Sequence, residues 1–97
     1  MYFDDVKKEV NIFLPNFIML SKQKDRHDEI MMVKLITSFV LAKIYRIGVG
    51  KIATELNCKH STVIYRVKVC QDRLKYDNIF KNKYETKLNE IKRCTIF

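Results

Sequence analysis

One stretch of this 97-residue chain concentrates chemically versatile side chains: KHSTVIYRVKV, residues 59–69. Lys59, His60, Ser61, Ile64 and Tyr65 combine donors, acceptors and an aromatic face within two helical turns, a set suited to reading base edges. Arg46, Lys51, Thr54, Thr62 and Arg66 flank them, with Lys43 before and Lys68 beyond, and these are residue types that hold phosphates. Catalysis is not indicated. His27 and His60 fall on different expected elements, no motif pairs a nucleophile with a base, and no Gly-rich cofactor loop is present. Each residue also has a plain reading, since helical Lys and Arg usually make a solvated face and a lone His is more often a surface residue.

The distribution of charge separates the two readings. The chain carries net +8, but residues 1–41 hold six basic and six acidic side chains and sum to zero. Residues 42–76 hold eight basic against two acidic, net +6, and residues 77–97 five against three, net +2. A positive potential gathered in one third of a small protein points to a polyanionic partner, and double-stranded DNA is the expected one. Cys58, Cys70 and Cys94 are odd in number and contain no CxxC pair, so neither a disulfide framework nor a zinc site is expected. Cys58 and Cys70 fall at apolar positions and read as small core residues. A reduced setting fits, cytoplasmic and nucleoid-associated, with no metal, cofactor, small-molecule substrate or membrane anchor. No apolar run approaches a membrane span, and Asp4 and Asp5 come before any cationic leader.

The elements that must position residues 59–69 follow from periodicity. With 47% hydrophobic and 31% charged residues, one Pro and two Gly, the chain reads as a single all-helical domain over residues 1–97. Val6, Val10, Phe13 and Leu14 sit at helical spacing in a first helix that Pro15 ends. Phe17, Ile18 and Leu20 form a short apolar stretch that fits a helical turn or irregular chain equally well. A second helix is expected from His27 to Tyr45 with Asp25 as N-cap; its apolar residues cover most of the circumference, which makes it central. Gly48 and Gly50 mark the break after it.

Residues 50–74 then read as two helices joined by a tight turn. Ile52, Ala53 and Leu56 bury the first, and small Ala53 admits a close crossing. Asn57 stands where the chain must turn left-handed, a geometry Asn accepts more readily than any residue except Gly. Ser61 or Thr62 is expected to cap the second helix, which buries Val63, Val67, Cys70 and Leu74. Four residues from Ala53 to the turn and ten to Val63 is the spacing of the helix-turn-helix, whose second helix enters the major groove. A C-terminal amphipathic helix, about residues 78–93, carries Phe80, Tyr84, Leu88 and Ile91 on one stripe. That stripe folds back on the core or pairs with a partner protein or a second copy; the first is favoured because so short a chain needs the area. A helical interaction module with an incidental basic surface is the alternative function.

KHSTVIYRV resembles the signature of the C-terminal DNA-binding domain of the bacterial replication initiator DnaA, in which a basic residue, an acidic residue and His precede Ser/Thr-Thr-Val. VKLITSFVLAKIYRIGVGKIATEL resembles that domain's central helix, linking turn and first motif helix, and DDVKKEVNIFL and SKQK its leading helix and basic loop. The likeness spans about residues 3–75. It implies a Trp-repressor-like bundle, His60 and Ser61 on the family's base-contacting positions, Thr62 on the following Thr, and Lys34 on an arginine that reaches the minor groove. Lys59 replaces the family's acidic residue and the turn is one residue shorter, so the family's target sequence does not carry over. No GxxxxGK[ST] phosphate loop is present, and a stand-alone relative without the ATPase domain is expected, a regulator of transcription or replication.

Overall fold

The computed structural model describes residues 3–24 and 27–94, and every regular element among them is helical. Helix α1 spans Phe3–Phe13, α2 Phe17–Ser21 and α3 Asp28–Phe39, which continues into a π-helical turn at Val40–Ile44. Helices α4 (Val49–Glu55), α5 (His60–Tyr76) and α6 (Asn78–Cys94) complete the chain. No helix of the described residues is long and apolar enough to cross a membrane.

Apolar residues all round α3 make it the centre. From Val33 to Leu41 every residue is buried, with α2 and α5 packed against α3 and α6 lying on α5 and the π-turn. Helix α1 buries Val6 and Val10, and Leu14 follows them into the core, while Phe13, expected on the same side, is only half-buried against it. The stretch after Pro15 is a helical turn, α2, entered through Asn16 in the left-handed region at φ 66°. The residue preceding α3 is His27, without a side-chain cap; Asp25, expected there, lies outside the described residues.

The π-turn is absent from the periodicity. There the Tyr45 N–H donates to the Val40 carbonyl at 3.1 Å, five residues back, and the Ile47 N–H to Leu41 at 2.9 Å. The left-handed residue that ends the rod is Arg46, at φ 56°, and neither glycine. Gly48 is extended and starts α4, while Gly50 lies inside that helix. The break falls where the glycines stand, but its strained backbone position belongs to an arginine, which costs about 1–2 kcal/mol relative to glycine.

Helix α6 folds back on its own core. Phe80, Tyr84, Leu88 and Ile91 are all buried, and the Phe80 and Tyr84 rings lie 5.0 Å apart. The stripe expected to choose between core and partner is filled by the chain itself. Asp77 makes the joint: its N–H donates to the Arg73 carbonyl at 2.9 Å, and its Oδ1 accepts from the Phe80 N–H at 3.1 Å. One residue thus closes α5 and caps α6.

Candidate nucleic-acid interface

The α4–α5 corner is fixed by backbone geometry. Asn57 takes φ 52°, its N–H donates to Thr54 at 3.4 Å, and the Cys58 N–H reaches back to the Ala53 carbonyl at 3.0 Å. These two bonds satisfy carbonyls that the end of α4 would otherwise leave open. Ala53 is 3% exposed and Ile52 fully buried, so the corner packs tightly on α5. Gly50 lies close to the same corner: a Cβ there would stand 3.3 Å from the His60 Cε1, and the exposed imidazole would have to give by a few tenths of an ångström.

Helix α5 begins at His60, two residues before the start that a Ser61 cap would give and three before that of a Thr62 cap. Lys59 precedes it in extended conformation with no side-chain cap bond, and the Thr62 and Val63 N–H groups donate to the Lys59 carbonyl at 3.1 and 3.2 Å. Ser61 and Thr62 are therefore first-turn residues and not caps. That leaves the Ser61 hydroxyl exposed at the helix start, where the backbone dipole favours an anion.

Five residues expected to face bases share one exposed face of α5. Lys59, His60 and Ser61 are exposed, and the neighbouring Ile64 and Tyr65 remain 58% and 63% accessible. Lys68 continues the face. Between Glu55 and Asp72 there is no acidic residue, so nothing in the first three turns opposes this positive charge. Lys43, Arg46, Lys51 and Thr54 are exposed as well. Lys51 stands over the Phe3 ring at 5.4 Å, and the Thr54 hydroxyl donates to the Gly50 carbonyl at 3.0 Å.

Two expected contact residues are placed differently. Arg66 is 8% exposed, since it lies three residues after Val63 and four before Cys70, on the inward side of α5. Its Nη1 approaches Cys58 Sγ at 3.9 Å, and its Nε has no hydrogen-bond partner among the described residues. Lys34 is 4% exposed, held within the fully buried run of α3. Neither lies on the open face that a phosphate contact requires. Both line a groove of about 620 Å³ between α5, α3 and the residues after α2, together with Lys22, Lys24, Thr62 and Tyr65. The four-residue spacing of Arg66 to Cys70 carries the signal for its burial. The groove itself has no sequence signal, because it joins residues more than forty positions apart.

Charge pairing near the corner is concentrated on Glu55. Its carboxylate accepts from Lys7 at 3.4 Å and Lys22 at 3.1 Å, tying α4 to α1 and to the chain after α2. The Asp4 carboxylate, with Glu55 beyond it, holds the Lys7 ammonium above its ordinary value despite some desolvation. The three cysteines are free: Cys58 half-buried, Cys70 buried and Cys94 exposed. Burial pushes the Cys70 thiol up to about 12, against a smaller opposing influence of Arg73. Among the described residues no group of three or more His, Cys, Asp or Glu side chains could hold a metal ion.

No protein-family model matches the chain, and neither a curated protein nor a solved structure is significantly similar to it.

Proposed function

We propose that the chain binds double-stranded DNA with a sequence preference, laying the exposed face of α5 in the major groove as the second helix of a helix-turn-helix. The observation that carries this reading is the exposure of Lys59, His60, Ser61, Ile64 and Tyr65 together on the acid-free first half of α5. His60 and Ser61 supply donors and acceptors for base edges, and Ile64 and Tyr65 supply apolar contact of the kind thymine methyl groups reward. Lys43, Arg46, Lys51 and Lys68 are exposed as well and would fix the register on phosphates. The likeness of KHSTVIYRV to the initiator domain supports the same helix and the same His60, in a regulator of transcription or replication.

Selection from a random duplex pool, followed by a salt series on the enriched sequence, tests the reading. His60→Ala should lose selectivity, at about 1–3 kcal/mol for the base it reads. Lys68→Ala should weaken all sequences alike and lower the slope of log affinity against log salt by about 0.9. Failure of any sequence to enrich, with affinity no greater than that of an equally basic helical protein, would remove the proposal.

A further inference from the structure

The two apolar side chains on the outer face of α5 are not equivalent. His60, Ile64 and Lys68 follow one another at four-residue intervals and form one row along the helix, with Ser61 and Tyr65 in the row beside it. Tyr65 stands at the margin, since it also lines the groove shared with Thr62 and Arg66. Ile64 stands inside the polar set, one turn after His60 and one turn before Lys68, and is 58% exposed. The core is served without it, by Val63, Val67 and Cys70 on the opposite side of the helix. A β-branched residue is also a poorer helix former than the Lys, Arg or Glu usual at solvated positions, so helix stability does not account for isoleucine here. The surroundings indicate what covers it. Lys59, His60, Ser61 and Lys68 are exposed around Ile64, and no acidic residue intervenes between Glu55 and Asp72, so the complementary occupant is a polyanion with an apolar point on it. In the major groove of duplex DNA the apolar group on a base edge is the methyl at C5 of thymine, which uracil and cytosine lack.

We propose that Ile64 is a specificity-determining residue that reads the C5-methyl group of one thymine. The assignment rests on the DNA-binding reading above and deepens it, from a face suited to base edges to one chemical group met by one side chain. A helical turn advances about 5.4 Å and a base step about 3.4 Å, so with α5 along the groove the methyl lies one or two steps from the base that His60 reads.

The test uses the intact chain and the duplex that enriches from the random pool. Each thymine in turn is replaced by deoxyuridine, which removes the methyl and keeps every hydrogen bond of the base pair. One replacement, a step or two from the position where His60→Ala loses selectivity, should weaken binding about fourfold, the scale of burying one carbon group. Ile64→Ala, an exposed change to a better helix former, should weaken the thymine duplex at least as much and be indifferent to the same replacement. His60→Ala should keep the uracil penalty. With cytosine at that position, 5-methylcytosine should recover about fourfold in the parent and nothing in Ile64→Ala. If the duplex enriches and binds yet no uracil weakens it, or the penalty persists in Ile64→Ala, the assignment falls while the DNA-binding reading stands. If nothing enriches, that reading falls and the assignment with it.

Discussion

Helices α5 and α6 are both 17 residues long and net basic, yet they spend their aromatic residues in opposite directions. Helix α6 turns Phe80 and Tyr84 inward and leaves its lysines to solvent; α5 keeps a narrow inner stripe of Val63, Val67 and Cys70 and leaves Ile64 and Tyr65 outside. The core therefore does not need Ile64 or Tyr65. Single exposed apolar residues, such as Ile79 on α6, need no explanation; the adjacent pair Ile64 and Tyr65 among basic residues is more informative about binding than the basic residues alone.

The largest test exchanges the two aromatic roles. Phe80→Ala should cost about 3–5 kcal/mol in a urea melt, the range for emptying a packed aromatic site. Tyr65→Ala should stay within about 0.5 kcal/mol of the parent, as surface positions do. Equal destabilisation by both would show that α5 also packs through its outer face and would dissolve the contrast.

A second test uses pH on the inner side of α5. The folded-state thiol of Cys70 keeps its proton to about 12, against an ordinary value of 9.0, so folding favours the protonated form. That contribution is whole below pH 9, and is lost as pH rises towards 12. Unfolding free energy should decline over this window more steeply for the parent than for Cys70→Ala, the difference between the two chains cancelling the shared titration of Lys and Tyr. Parallel curves would place Cys70 in contact with water.

Smaller effects probe the joints. Asp77→Ala removes the cap between α5 and α6 and should cost about 1 kcal/mol, read by thermal melting, without changing DNA affinity. Arg46→Gly relieves the left-handed strain before α4. A net gain of at most about 1 kcal/mol is expected, because glycine also gives the unfolded chain more freedom. A loss there would show that the Arg46 side chain makes contacts worth more than its backbone costs.

Much of the fold is legible in the residues. The circumferential apolar pattern of α3, the 80–84–88–91 stripe and the role of Asn57 at the corner each follow from a single local rule, helical period or left-handed tolerance, and each is found where the rule puts it. The exposed set from Lys59 to Lys68 was readable for the same reason. What was not readable depends on neighbours distant in sequence. Arginine is usually a surface cation, but the register of Arg66 with Val63 and Cys70 turns it inward. The uncapped start of α5 and the widened turn at Val40–Ile44 depend on how the chain closes around α3, which no local pattern encodes.

That widened turn has a consequence for chain length. A π-turn is a helix carrying one surplus residue, absorbed as a bulge while the helix on either side keeps its phase. Deleting one residue within Val40–Ile44 should therefore return an ordinary helix with α4 and α5 still aimed as they are. Deleting one in the middle of α3 would swing everything downstream by about 100° around the rod, one residue's share of a helical turn. The molecule thus contains one place where it can be shortened without being re-aimed, directly upstream of the corner that matters most. Comparison of deletion variants by melting temperature and DNA affinity would find it, and equal damage from both deletions would show that the bulge is itself required.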